Sequence, residues 1–170
     1  MPTLRASSIR IIGFVAVLLA LGAIAPAGVM ARGQKTLTVQ GPFSDPAGTC
    51  ADLQYHQDTG LVTCSGTTDL QGGLVGGTNW AITLAITSTG YQYGTVSEVF
   101  EGQAGKRKGK LRFLETLTID PQANMVIEAD VIGGSGDFKG ATGHLTFQGV
   151  QQPQFVVTGT YSGKLKVPKR

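Results

Sequence analysis

The fold of this chain is decided by the stretch GGSGDFKGATG, residues 133–143. It places five glycines around one aromatic residue, Phe138, and it separates two strand-like runs, 125–132 and 144–150. Glycine adopts backbone conformations with positive φ that other residues resist, so such a stretch predicts a tight and specific chain reversal. We interpret it as a turn that joins two neighbouring strands.

The chain beyond residue 31 continues in the same way, with short alternating runs separated by glycine. In the clearest run, residues 79–87, Trp80, Ile82 and Leu84 alternate with small or polar residues. No long apolar pattern of 3.6-residue period follows residue 31, which predicts an all-β domain, either a barrel or a sandwich. The predicted strands cover residues 36–40, 61–70, 79–87, 94–101, 110–120, 125–132, 144–150 and 155–166, and the predicted loops cover 41–59, 72–77 and 102–109.

The first 31 residues have the layout of a secretory signal peptide. Arg5 and Arg10 form a basic start, an apolar core follows at 11–21, and small residues permit cleavage after either Ala27 or Ala31. An uncleaved membrane anchor is the alternative, although the apolar core is short for a full span.

We therefore expect a secreted or periplasmic protein without a stable membrane span after cleavage. Its mature chain has the size of one domain, in which residues 32–60 supply an N-terminal strand and a loop and residues 61–170 supply the main part.

The charge of the chain points away from nucleic acid. The net charge is +3, with 14 basic and 11 acidic residues, but two of the basic residues lie in the predicted signal peptide. The densest basic cluster, residues 106–110, is interpreted as a solvated hairpin tip that protects a sheet edge. Docking of this cluster on an anionic membrane or polymer is the alternative.

The two cysteines, Cys50 and Cys64, are predicted to form a disulfide, because an exported protein meets an oxidising environment. A reactive or metal-binding thiol pair is the alternative, and no CxxC spacing supports it.

With its flanking strands, the opening motif resembles the allene oxide cyclase-like barrel superfamily, which includes plant allene oxide cyclases, dirigent proteins and bacterial relatives. The matching positions are Ile132, Gly133, Gly134, Ser135, Gly136, Phe138, Ala141 and Gly143. The strand pair 94–102 and 109–120 and the closing stretch 159–163 also resemble this barrel, so that the resemblance covers residues 61–167. A secreted bacterial member fits better than the plant proteins, which differ in their N-terminal portions.

The resemblance implies one antiparallel eight-stranded β-barrel whose lumen holds a small, mostly apolar ligand. It also implies a possible homodimer or homotrimer. The catalytic residues of the plant cyclase and the acidic residues of dirigent pockets are not carried over to positions in this chain.

Glu115 and Glu98 are the candidate catalytic residues. Glu115 alternates in phase with Leu111, Phe113 and Leu117, and Glu98 shares a face with apolar neighbours on the preceding strand. A buried carboxyl group is costly unless it is paired or used, and its raised pKa suits acid–base chemistry or a polar ligand group. A paired structural Glu115, or a bulge that turns it outward, is the alternative. If the two faces are reversed, the lumen set becomes Glu128, Asp130 and Arg112.

Aromatic residues on the strands are candidates for ligand binding, with plain core packing as the alternative. The predicted ligand-binding residues are Trp80, Tyr93, Phe100 and Phe113, and Tyr91, Phe147 and Tyr161 are further candidates.

Other site classes lack their motifs. The only histidines, His56 and His144, are too far apart in sequence to indicate zinc, so no metal site is predicted. The glycine run opens a strand rather than a helix, which argues against a dinucleotide or phosphate site, and no Gly-x-Ser-x-Gly elbow is present. We therefore expect no cofactor.

These patterns predict a barrel that binds a small apolar or aromatic molecule in its lumen. A cyclase or isomerase that positions a flexible apolar substrate is the alternative, since such catalysis depends mainly on shape and a few polar groups. A third reading is an interaction protein that uses its outer face and basic loop.

Overall fold

The computed structural model describes residues 33–46 and 49–169, so that the predicted signal peptide and its two cleavage sites lie outside the described residues. Nine strands form one sheet. They are β1 (Gln34–Ser44), β2 (Gln54–His56), β3 (Leu61–Leu70), β4 (Val75–Ile86), β5 (Gln92–Ala104), β6 (Arg107–Ile119), β7 (Asn124–Gly136), β8 (Thr142–Gln151) and β9 (Val157–Pro168). A short 3₁₀ helix, Pro153–Phe155, precedes β9. No helix among these residues is long and apolar enough to cross a membrane.

The sheet closes into an antiparallel barrel of eight strands, which confirms the predicted fold class. Each strand from β3 to β9 pairs with the next, and β1 pairs with β9 along its whole length. Closure rests on two residue pairs between β1 and β3, Phe43↔Leu70 and Ser44↔Asp69. The ninth strand, β2, pairs with the other end of β3.

Several strands extend into predicted loops. Residues 41–59 contain the end of β1 and all of β2, and the predicted loop 102–109 shrinks to the two-residue turn at 105–106. Gly76, predicted to lie in a flexible turn, lies in β4, and a Cβ there would lie 2.3 Å from the Glu101 carbonyl oxygen. Glycine at this position permits close backbone approach rather than a chain reversal.

The basic cluster is only partly solvated. Arg107 is buried, and its guanidinium donates hydrogen bonds to the carbonyl oxygens of Asp137 (3.2 Å) and Pro168 (2.7 Å). The interpretation of the whole cluster as a solvated tip is therefore wrong for Arg107, since it ties the β5–β6 turn to two other segments.

The glycine motif forms the end of β7, the following turn and the start of β8. Gly133, Gly134 and Gly136 belong to β7, the turn runs from residue 137 to residue 141, and Gly143 lies in β8. A Cβ on Gly143 would lie 2.2 Å from the Lys164 carbonyl oxygen, so this position needs glycine.

The two ends of the barrel differ. At the end that carries the β7–β8 turn, Phe138 and Leu74 are fully buried, and they join a packed cluster that also contains Phe100, Leu111, Phe113, Leu145, Leu165 and Val167. We call this the sealed end. The loops 87–91, 120–123 and 152–156 lie at the other, open end.

A disulfide covers the side of the barrel where β1 leaves β3. Cys50 and Cys64 are bonded, as predicted. The Cys50 N–H donates to the Ser65 carbonyl oxygen (3.1 Å), and the Asp52 carboxylate accepts from the Ser65 N–H (2.8 Å) and hydroxyl (2.7 Å). These hydrogen bonds lower the pKa of Asp52. The loop thus satisfies edge groups of β3 that neither β1 nor β2 reaches.

Candidate functional site: a cavity at the open end

A cavity of about 80 Å³ lies inside the open end of the barrel. One water needs roughly 10–15 Å³ on this measure, so the cavity has room for several waters or for part of a small organic molecule. Its apolar walls are formed by Phe43, Leu53, Val62, Ile82, Leu84, Val96, Leu117, Ile119, Met125, Ile127, Phe147, Phe155 and Val157, together with the disulfide. The exposed side chains Leu53 and Phe155 place its mouth beside the disulfide loop and the 3₁₀ helix.

Trp80 forms one wall of the cavity because a glycine makes room for it. Gly66 lies opposite Trp80 in the β3–β4 ladder, and a Cβ on Gly66 would lie 2.5 Å from the indole. The indole Nε1–H donates to Thr68 Oγ1 (3.0 Å), whose hydroxyl donates to Asp45 Oδ1 (2.5 Å). This chain of hydrogen bonds orients the ring.

Glu98 and Glu115 form the polar part of the cavity. In the β5–β6 ladder Glu98 lies opposite Phe113, and Glu115 lies opposite Val96. The two glutamates are therefore diagonal neighbours with inward side chains. Their exposed fractions are 6% and 1%, and both line the cavity.

The carboxyl oxygens of Glu115 have no hydrogen-bond partner among the described residues, and neither has the buried Thr78 hydroxyl. Glu98 lies close enough to both groups to affect titration, but neither contact has the distance and angles of a hydrogen bond. Leaving a buried polar group without a partner costs about 1–3 kcal/mol, so Glu115 lowers the stability of the fold unless another group binds it.

Burial makes these acids hard to ionise. Burial, followed by the negative charge of Glu98, raises the pKa of Glu115 from 4.5 to about 11. Burial also raises the pKa of Glu98, and its contacts with Glu115 and Thr78 partly offset the rise. At neutral pH the pair therefore retains at least one proton.

A third acid, Asp45, was not predicted from the sequence. It follows β1, its exposed fraction is 9%, and its N–H donates to the Val157 carbonyl oxygen (2.8 Å). Burial raises the pKa of Asp45 from 3.8 to about 6 against the opposing hydrogen bonds from Thr68 and Val157. It was missed because it follows a stretch interpreted as a loop, and only the closure of the barrel turns it inward.

The cavity contains acids without bases. None of the described residues that line it is lysine, arginine or histidine. Within the same part of the chain, no three His, Cys, Asp or Glu side chains are placed to hold a metal ion. The cavity is therefore apolar over most of its wall, and its polar lining consists of Asp45, Glu98, Glu115, Thr68 and Gln151.

The structure separates the predicted ligand-binding residues. Trp80 lines the cavity, whereas Phe100 and Phe113 are fully buried in the packed core and do not reach it. Tyr93 lies outside the cavity, because its side chain is 49% exposed on the outer face, where it stacks on Tyr91 at 5.9 Å between ring centres. Of the further candidates, Phe147 lines the cavity and Tyr161 is buried in the core.

The alternative lumen set lies outside the barrel. Glu128, Asp130 and Arg112 are exposed, so the face that carries Glu98 and Glu115 is the inner one. On the outer face, His144 lies between the carboxylates of Asp130 and Glu128, at 2.8 Å from each. These two contacts raise the pKa of His144.

Comparison with known proteins identifies the fold. No family model matches the sequence, and no curated protein matches it. Among solved structures the chain is similar to a pterocarpan synthase dirigent protein, with a TM-score of 0.55 and 16% sequence identity over 88% of this chain and 99% of that chain. The chain therefore has a dirigent-like β-barrel fold, and at this identity the similarity concerns the fold alone.

Proposed function

We propose that the protein is a secreted, dirigent-like member of the allene oxide cyclase-like superfamily that binds a small apolar or aromatic molecule in the open-end cavity. The observation that carries the proposal is the cavity itself, in which apolar walls surround a buried carboxyl group without a partner. Sites for small molecules characteristically combine apolar walls with a few placed polar groups.

The asymmetry of the barrel supports this proposal. The sealed end is filled by side chains, whereas the open end keeps its cavity although bulky residues surround it. Empty space in a protein interior costs stability, because the lining atoms lose packing contacts. A ligand that fills the cavity restores those contacts.

Secretion is supported by the disulfide and by the predicted signal peptide, since disulfides persist mainly in oxidising compartments. Fractionation of the source cells tests this part separately. We expect the protein outside the cytoplasm, with an N-terminus at residue 28 or 32.

Trp80 provides the readout for ligand binding because it is the only tryptophan in the chain and it lines the cavity. We expect benzyl alcohol and toluene to shift the Trp80 indole N–H resonance in a saturable titration. Burial of a ring of this size contributes about 1.5–3 kcal/mol before the cost of association, so we expect weak binding, with dissociation constants of about ten millimolar or more.

Two variants of the same strand localise the binding. Ile82→Phe fills the cavity and should abolish the titration, whereas Ile86→Phe, whose parent side chain is 55% exposed and does not line the cavity, should retain it. If neither probe shifts the wild-type resonance, or if Ile82→Phe binds as well as the wild type, the proposed function is wrong.

A second candidate function, the isomerase or cyclase reading, is favoured by the Glu98–Glu115 pair. A carboxyl group that keeps its proton near neutral pH in an apolar cavity is suited to general acid catalysis. The similar solved structure is itself named a synthase. Glu115→Gln and Glu98→Gln should then lower turnover by about 10²–10⁴-fold, and full activity in both variants would exclude this role.

A further inference from the structure

We infer that the cavity binds its ligand as a cation, namely a small apolar amine whose ammonium group lies between Glu98 and Glu115. This inference rests on the proposed function, because it takes the open-end cavity as the ligand site. It adds the chemical class of the ligand, which an apolar cavity alone does not specify.

The distribution of donors and acceptors is the first argument. The Trp80 N–H is already bound to Thr68, and the Thr68 hydroxyl is bound to Asp45. Glu98, Glu115 and Asp45 then face the cavity without any cationic group among its described lining residues. Beside the protons of these acids, the side-chain donor among the described lining residues is the Gln151 amide, whose Oε1 accepts from Gln92 Nε2 (3.3 Å). The polar part of the cavity therefore presents more oxygen acceptors than N–H donors.

The state of Glu115 is the second argument. Its side chain is 1% exposed, it lines the cavity, and both of its carboxyl oxygens lack partners. An ammonium group carries three N–H donors, and its hydrogen bonds to carboxylate are among the stronger ones in proteins. A ligand ammonium thus supplies the donors that the chain does not give to Glu115.

The position of Trp80 fits the same ligand. Trp80 lies directly opposite Glu98 in the β4–β5 ladder, so their side chains are neighbours on the inner face. The indole face attracts cations electrostatically, and the aliphatic side chains Leu84 and Leu117 line the same cavity. An amine with a compact apolar body meets all three features together.

A metal ion fits this arrangement less well. The described residues contain no set of three ligating side chains placed around one point, whereas an alkylammonium needs only hydrogen-bond acceptors and one or two carboxylates. The apolar walls likewise match an organic cation better than a hydrated ion, which retains its water shell.

Binding of the ammonium group changes the protonation state of Glu115. In the free protein Glu115 is held neutral, so the ammonium displaces its proton: R–NH₃⁺ and Glu115–COOH give the ion pair R–NH₃⁺···⁻OOC–Glu115 and one H⁺ released to solvent. The titratable groups that face Glu115 in the cavity are Glu98 from β5 and Asp45 after β1. On β7, Ala129 lies opposite Glu115, and Met125 and Ile127 line the same cavity. Trp80 and Ile82 line it from β4, and none of these side chains titrates.

Isothermal titration calorimetry with benzylamine, benzyl alcohol and benzoate tests the inference, because the three probes share one ring and differ in charge. We expect benzylamine to bind at least about tenfold more tightly than benzyl alcohol, and benzoate more weakly than both. Measurements in two buffers of different ionisation enthalpy should show release of about one proton. Affinity for benzylamine should then rise by up to about tenfold per pH unit between pH 6 and pH 8.

Matched variants distinguish the effect of the Glu115 carboxyl group on binding from the effect of the overall charge of the protein. Glu115→Gln should lose both the preference for benzylamine over benzyl alcohol and the proton release. Asp58→Asn removes an exposed acid from the turn between β2 and β3 and should behave like the wild type. If Glu115→Gln fails to fold, Glu98→Gln and the proton release of the wild type serve the same purpose.

The outcomes distinguish this inference from the function on which it rests. If benzyl alcohol binds as tightly as benzylamine and no proton is released, the ligand class is wrong and the proposed function stands. If none of the three probes binds, both are wrong.

Discussion

Glu98 and Glu115 lie on neighbouring strands, with Glu98 opposite Phe113 and Glu115 opposite Val96, so that the two carboxyl groups meet inside the barrel. The charge of Glu98 raises the cost of ionising Glu115, whereas Glu115 lowers the cost of ionising Glu98, and burial disfavours charge on both groups. The stability of the protein, its response to pH and the chemistry of its cavity are therefore coupled through this pair.

The first prediction concerns Glu115 and pH. Its pKa in the folded state, about 11, lies above its ordinary value of 4.5. The folded protein thus keeps a proton that the unfolded chain releases above about pH 4.5, and the free energy of unfolding falls as pH rises through this window. One such proton accounts for at most about 1.4 kcal/mol per pH unit. The raised pKa values of Glu98 and Asp45 act in the same direction.

Urea denaturation at pH 5, 6.5 and 8 checks this prediction. Glu115→Gln should flatten the fall in unfolding free energy and be more stable than the wild type at pH 8. Asp58→Asn, which changes an exposed acid, should keep the wild-type slope. Equal slopes in Glu115→Gln and the wild type would show that Glu115 ionises normally.

The second prediction concerns Gly66. A Cβ at this position would lie 2.5 Å from the Trp80 ring, so Gly66→Ala should displace the indole and weaken its hydrogen bond to Thr68. We expect a loss of about 1–3 kcal/mol in stability, together with a shifted Trp80 indole N–H resonance. The control is Gly77→Ala on β4, where the nearest atom would be 3.8 Å away and where stability should be unchanged or slightly higher. An unmoved indole in Gly66→Ala would contradict the account of how Trp80 is placed.

The third prediction concerns the disulfide. Replacing Cys50 and Cys64 together by alanine should lower the free energy of unfolding by about 3 kcal/mol, because the bridge restricts a loop of the unfolded chain. Both residues line the cavity, so binding of benzyl alcohol should weaken as well. Dithiothreitol should destabilise the wild type to the same level and leave the double variant unaffected. If the double variant were as stable as the wild type, the disulfide would not stabilise the fold.

The fourth prediction concerns Phe138, whose ring is fully buried at the sealed end. Phe138→Ala should cost about 3–5 kcal/mol, whereas Phe155→Ala, at a 38% exposed position, should cost less than about 1 kcal/mol. At a temperature where Phe138→Ala remains folded, its affinity for benzyl alcohol should equal that of the wild type, since the proposed ligand site lies at the opposite end. Comparable losses of stability in the two variants would be inconsistent with a sealed end packed around Phe138.

The fifth prediction concerns His144. Hydrogen bonds to Asp130 and then to Glu128 raise its pKa above 6.5, so its contribution to stability is present below that value and is lost as pH rises through the raised pKa. An NMR titration of the imidazole should report a midpoint above 6.5. In the double variant with Asp130→Asn and Glu128→Gln the midpoint should be lower. An unchanged midpoint would mean that the two hydrogen bonds to His144 do not form in solution.

Much of the fold could be predicted because strand alternation and glycine placement are local signals. The predicted strand 61–70 coincides with β3, and the alternation around Glu98 and Glu115 correctly indicated the inner face. The same rule would have placed Tyr93 outside, since it is out of phase with Val96 and Phe100. Residue type alone therefore does not decide which aromatic side chains face the lumen.

The missing parts of the site depend on long-range pairing. Asp45 faces inward because β1 continues to Ser44 and closes against β3, a contact between residues far apart in sequence. The hydrogen bonds that join Trp80, Thr68 and Asp45 likewise connect three separate segments. No spacing within a single strand encodes these contacts, so neither the third acid nor the orientation of the indole could be read from the sequence.

The most direct test of the central claim is a crystal structure of the mature protein grown with benzyl alcohol. We predict electron density for the ring between Trp80, Leu84 and Leu117, with its hydroxyl directed towards Glu115. An open end filled by the protein's own side chains, with no density for the probe inside the barrel, would contradict the claim that this fold keeps a ligand site there.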